Sequence, residues 1–422
     1  MNEIENNAGE LRDANEFSRG WLVLFGCFLG IVISAPSVGA YLSGVFLQPL
    51  ENEFGWSRSA ISLHSLLSIG AFALMAPIAG RLVDTYGVRR VALASFLLFA
   101  VAQYAMSYLT ASLLHYYGLS MLIAIVAAGT TPVVFTKVVN AWFNKSRGLA
   151  LGIALLGAGV TAAVGPVLLT HYVDTNGWRA GYQILAIIVF IGSFLVVFMI
   201  KDSPQAMGGD TSMAGLAGDG LTGMELKQAT SSATFRLIGG AFLIVSLSVG
   251  GLLLHFIPMM TDYGMTRAEA AQIASLVGLS VLIGRIGTGI LIDRFFAPRV
   301  ALIMVLCAAL GYMALLLGGG SLAFVTAIAV GFTVGAEIDF IGYLAARYFG
   351  MKNYGVIYGA LYGITISGIG LAPLLTGIMY DYFGDYQPAI ILSAIGLVIS
   401  AFLFSRMPAF PTDFDGFKKA AQ

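Results

Sequence analysis

The chain has 422 residues, of which 58% are apolar and only 10% are Asp, Glu, Lys or Arg. So few charges cannot cover the surface of a soluble globule of this size, and so much apolar side chain excludes a disordered polymer. The 22 basic and 22 acidic residues cancel, which removes the global field that nucleic-acid binding would use.

In chain order, the first 18 residues are polar and acidic, with Glu3, Glu5, Glu10, Asp13 and Glu16. They lack the basic start and short apolar core of a cleaved signal peptide and read as a cytoplasmic tail. A membrane-crossing helix needs about 20 mostly apolar residues. Twelve stretches qualify: 21–47, 58–82, 89–109, 112–140, 147–171, 179–200, 236–260, 268–292, 299–317, 321–346, 354–379 and 387–406. None alternates with the period of two that a β-barrel strand needs. The expected fold is an all-α membrane protein with twelve transmembrane helices in two pseudo-symmetric six-helix bundles, 19–200 and 236–406. Residues 201–235, rich in Gly, Ser, Thr and Ala, read as a cytoplasmic linker, and 407–422 as a second tail. With the N-terminus inside, 17 of the 22 Lys and Arg fall on the cytoplasmic side, so both termini are expected to be cytoplasmic. Cys27 and Cys307 stand alone in apolar runs, and neither a disulfide nor a metal site is expected.

The halves repeat each other. Phe54-Gly55-Trp56-Ser57-Arg58 matches Tyr263-Gly264-Met265-Thr266-Arg267, and Gly80 and Asp84 match Gly289 and Asp293 at the same offset of 209. Gly148, Gly152 and Pro166 match Gly355, Gly359 and Pro373 at 207. Two parallel six-helix halves are the layout of a secondary transporter. The segment from Gly80 through Asp84 and Gly87 to Arg89 and Arg90 resembles the signature loop of the major facilitator superfamily, with Thr85 where a basic residue is usual. Gly289 to Arg299 resembles a degraded second copy. Trp142-Phe143 with Arg147-Gly148, His255-Phe256-Ile257-Pro258 through Gly264, and Gly284-Arg285 through Arg294 resemble the monocarboxylate-transporter-like branch and its bacterial relatives. The resemblance implies a carrier working by alternating access.

Ionisable groups inside spans are expensive and are functional candidates by default. Arg285 lies eight residues before Asp293, about 12 Å along a helix and close to the midplane. Its planar fork of donors suits a carboxylate. It reads as an anion anchor, or as a structural partner of Glu337 or Asp339. The resemblance supports the anchor, because the family places its substrate-binding Arg in this helix. Members with proton coupling often carry an acid four positions earlier, where this chain has Val281. The expected proton carriers are therefore Glu337 or Asp339, with an ionised Glu337 pairing with Arg285 when the site is empty. Further candidates for substrate contact are Tyr41, Tyr358 and Tyr362, which offer an apolar face with one polar tip, and His255 beside Pro258. Each reads equally as packing or an interfacial hydrogen bond. At Tyr41 the resemblance implies a Lys in metazoan relatives. Asp84, Arg89 and Arg90, with Asp293 and Arg294, are expected to form a conformational latch.

No catalytic or nucleotide motif is present, so an enzyme or an ATP-driven pump is not expected. The expected function is proton-coupled symport of an organic monocarboxylate across a bacterial inner membrane by a monomer, with no cofactor. Its partners are a small organic anion, protons and the lipid bilayer. The alternatives are an anion exchanger for small or aromatic carboxylates and a transport-like membrane sensor.

Overall fold

The computed structural model describes residues 2–143, 147–201, 223–350 and 353–411. Among the described residues all regular structure is helical, apart from one isolated antiparallel bridge between Gly223 and Gly350. The helices are α1 (Asn2–Val32), α2 (Ala35–Phe54), α3 (Arg58–Tyr86), α4 (Val88–Ala105), α5 (Leu113–Val126), α6 (Pro132–Trp142), α7 (Arg147–Asn176), α8 (Trp178–Met199), α9 (Leu226–Ser231), α10 (Ala233–Asp262), α11 (Arg267–Arg294), α12 (Ala297–Gly318), α13 (Ala323–Phe349), α14 (Tyr354–Phe383) and α15 (Gln387–Ser405).

Eleven stretches among these residues are long and apolar enough to cross a membrane. One of them, Ala297–Phe349, runs for 53 residues, far more than a single crossing needs. A 3-10 turn at Gly319–Leu322 divides it into α12 and α13, which pack on each other. With that division the described residues hold twelve candidate crossings, as the hydropathy predicts.

The acidic leader is helical: α1 begins at Asn2. Ala, Leu and Glu are good helix formers, and acids near the start complement the helix dipole. Two predicted spans are broken. The first is interrupted between α1 and α2, ahead of Pro36, and the fourth between α5 and α6, ahead of Pro132. A proline removes one backbone donor and crowds the carbonyl four residues back. At the first break the freed groups find other partners. Thr161 of α7 donates to the Val32 carbonyl at 2.6 Å. Ser34 and Ser37 both donate to the Ile31 carbonyl, at 2.9 and 2.7 Å. Thr130 Oγ1, from the second break, accepts the Ala35 amide at 3.2 Å.

The chain forms two compact units: residues 1–50 with 67–210, and residues 51–66 with 211–422. In the first, α1 packs on α7 and α8, and α4 on α8. Gly87, in the signature loop, has a φ of 81°, which only glycine adopts freely, and so lets α4 follow α3 after one residue. In the second unit the main pairings are α11 with α13, α10 with α14, and α12 with α15. Thr266 opens α11 with a full capping box: its hydroxyl accepts the Glu269 amide while Glu269 takes the Thr266 amide.

Candidate functional site

The second unit holds Arg285 on α11 and Asp339 on α13. Their facing side chains form an ion pair, Nε to Oδ2 at 3.4 Å. Arg285 Nε also donates to the Gly335 carbonyl at 3.4 Å. The Arg285 side chain is 19% exposed and that of Asp339 33%, so the pair is partly screened from its surroundings but reachable. The guanidinium thus presents donors of the kind that pair with a carboxylate, and Asp339 is one partner it holds here.

Glu337 faces another way, because residues two apart on a helix point about 200° apart. It is 4% exposed and accepts a hydrogen bond from Ser246 of α10. Phe242, Val245, Met304 and Phe404 line a small cavity beside it. The pairing expected between Glu337 and Arg285 is therefore made by Asp339 instead. The rotation of α13 decides this: the face that carries Asp339 lies on α11, and the face that carries Glu337 lies on α10 and α12. Tyr358 and Tyr362 of α14 stack at 5.8 Å, and Tyr362 is within electrostatic reach of Glu337. Tyr41 sits half-buried on α2, in the first unit.

His255 belongs to a separate polar cluster within the second unit. It is fully buried. Its Nδ1 bonds the Tyr386 hydroxyl at 2.9 Å. Its Nε2 lies 2.9 Å from both the Pro373 carbonyl and Ser62 Oγ. A carbonyl only accepts, so Nε2 carries the hydrogen and Nδ1 accepts from Tyr386. Both nitrogens are thus engaged, and none of these partners belongs to the Arg285 pair.

At the centre of this cluster is Arg58, 4% exposed. Its Nη1 and Nη2 grip Asp262 at 2.7 and 3.2 Å, its Nε pairs with Glu51 at 3.1 Å, and Nη1 donates to Tyr386 at 2.7 Å. The guanidinium also lies 3.8 Å over the Tyr380 ring. Asp381 of α14 accepts the Arg58 and Ser59 amides at 3.0 and 2.9 Å, capping the start of α3. A Cβ on Gly377 would lie 2.8 Å from Ser59 Cα, so a glycine is what lets α14 approach so closely. In the sequence Arg58 stands out only as a position of the internal repeat, matched to Arg267. The available signal was its place as the first residue of α3, where the helix dipole disfavours a cation unless tertiary partners hold it.

Of the expected latch, Arg89 donates to the Val197 carbonyl at 3.1 Å within the first unit. Arg90 and Arg294 are exposed. The side chains of Asp84 and Asp293 lie outside the described residues.

Comparison with known proteins agrees with this architecture. The family model of the Major Facilitator Superfamily matches residues 21–343 and 241–421. The MFS transporter asaE of Aspergillus flavus is 25% identical over 90% of this chain and 84% of its own length. Monocarboxylate transporter 11 of Mus musculus is 24% identical over 92% of this chain and 87% of its own. Among solved structures, the D-xylose–proton symporter superposes with a TM-score of 0.70 at 13% identity, covering 94% of this chain and 99% of that one. A bacterial homologue of the human lysosomal transporter Spinster gives 0.67 at 16% identity, covering 91% and 95%. These two likenesses concern the fold. By the match along its length the chain belongs to the Major Facilitator Superfamily, which makes it a transporter rather than an enzyme, and it is similar to the monocarboxylate transporters.

Proposed function

We propose that the chain carries an organic monocarboxylate together with a proton across a cell membrane, both termini facing the cytoplasm. The observation that supports this most is the Arg285–Asp339 pair, a fixed cation held by an acid that can be neutralised. In the empty carrier the two neutralise each other. A substrate carboxylate replaces Asp339 on the guanidinium, and a proton on Asp339 removes the charge this leaves. Arg285 keeps its own proton throughout. A single cation favours a monoanion over a dicarboxylate. Glu337, bonded to Ser246 on the opposite face of α13, takes no part in this exchange. Tyr358 and Tyr362 offer a stacked aromatic surface for the apolar part of the substrate.

The binding half of this reading is tested on purified protein with a panel of labelled carboxylates, from lactate-sized to aromatic. The wild type binds at least one. Arg285→Ala abolishes that binding while the protein still elutes as a folded species. Arg285→Lys recovers it only in part, because the ammonium keeps the charge and loses the planar fork. Undiminished binding by Arg285→Ala would refute the anchor.

A further inference from the structure

The contact between α11 and α13 is a register of three layers. A Cβ built on Gly331 would lie 2.5 Å from the Val277 carbonyl oxygen. A Cβ on Gly335 would collide with the Val281 carbonyl oxygen and lie 2.9 Å from Val281 Cα. The third layer is the ion pair of Arg285 with Asp339. On each helix the participants follow at intervals of four, and each pair is separated by 54 positions in sequence. Residues four apart share one helix face, so the two helices run parallel through this seam. Gly284 tightens it from the other side: its Cβ would lie 2.8 Å from Phe332 Cα. In all these contacts the obstacle is backbone, which cannot rotate out of the way as a side-chain tip can.

We propose that Gly335 is a positioning residue for the anion site. Its missing side chain lets α13 lie directly on the backbone of α11 at Val281. Its carbonyl, one turn before Asp339, takes the Arg285 Nε–H at 3.4 Å. Asp339 takes the same nitrogen at 3.4 Å. The guanidinium is thereby aimed by a rigid backbone acceptor as well as by a charge, and the seam spacing is matched to the reach of an aspartate. The same register accounts for Val281: its backbone is occupied by Gly335, and the acid that meets Arg285 stands on the opposite helix, one layer further along.

This inference rests on the reading of Arg285 as the anion anchor, and the test separates the two. Carboxylate affinity and thermal stability are measured on purified wild type, Arg285→Ala, Gly335→Ala, Asp339→Glu, the double variant Gly335→Ala/Asp339→Glu, and Gly311→Ala. The last crowds α13 from α12, where a Cβ would lie 3.0 Å from Ala329 Cβ. Losing a hydrogen bond to a charged group costs roughly tenfold or more in affinity. Gly335→Ala is expected to weaken carboxylate affinity about tenfold, and Asp339→Glu to weaken it at least threefold. The double variant stays at least as weak as Gly335→Ala, because the longer acid restores the ion pair that substrate must displace and not the backbone acceptor that aims the guanidinium. Gly311→Ala lowers stability without changing affinity. Wild-type affinity in Gly335→Ala, or an equal loss in Gly311→Ala, would overturn the positioning role. If Gly335→Ala does not fold, Asp339→Glu decides alone, since it leaves every glycine contact intact, and unchanged affinity in it overturns the proposal. Equal binding by wild type and Arg285→Ala would instead sink the anchor itself.

Discussion

At the residue scale, two arginines in this chain do opposite things with the same chemistry. Arg285 meets a partly exposed carboxylate, which in the proposed function gives way to the substrate anion. Arg58 is saturated by Glu51, Asp262, Tyr386 and the Tyr380 ring, and is closed off from water. Removing Arg58 leaves Glu51 and Asp262 without their cation, and because these are 28% and 33% exposed, water offsets part of the roughly 3–5 kcal/mol that a fully buried pair would lose. Arg58→Ala is therefore expected to lower the thermal midpoint in detergent markedly, because Glu51 and Asp262 lose their cation together. A midpoint within a degree of wild type would show that the network carries no stability. The sequence marks Arg285 because a charge in an apolar run is conspicuous. It does not mark Arg58 as buried, because its acidic partner on α10 is 204 residues away.

At the element scale, the helices follow from hydrophobic length, and their interruptions follow from proline chemistry. Pro36 leaves the Val32 carbonyl without its usual helical partner, and the Thr161 hydroxyl replaces it. Thr161→Val preserves the shape and removes the donor. Val32 is half-buried, so leaving its carbonyl without that donor costs about 1 kcal/mol, and this variant is expected to lose stability by that amount in reversible thermal or denaturant unfolding. A neutral result would mean that water or another donor reaches Val32. Hydropathy passes straight through both broken spans, since Pro36 and Pro132 sit among apolar neighbours that keep the window average high. The choice between Glu337 and Asp339 as the partner of Arg285 is also an element-scale fact. Sequence separates the two acids by about 200° of rotation but does not say which face of α13 looks at α11. The glycines Gly331 and Gly335, spaced four apart and in line with Asp339, are the readable clue to that face.

At the scale of the whole molecule, the decisive quantity is charge moved per cycle. A monoanion entering a cell that is negative inside works against about 2.3 kcal/mol per 100 mV. One accompanying proton makes the step electroneutral and lets an acid exterior drive accumulation. The twelve-span, two-half layout and the cation bias were legible in the 422 residues because they are sums over many side chains. The proposed coupling site reads in the sequence only as a shortlist of Glu337 and Asp339, because which acid meets Arg285 depends on one contact between two helices. The most direct test is uptake of a labelled carboxylate into proteoliposomes, with and without an acid-outside gradient, by wild type, Asp339→Asn and Glu337→Gln. The wild type is predicted to accumulate substrate only with the gradient. Asp339→Asn is predicted to keep substrate exchange while losing the response to the gradient, and Glu337→Gln to keep both. Wild-type uptake that ignores the gradient, or an Asp339→Asn variant that still follows it, would contradict the account.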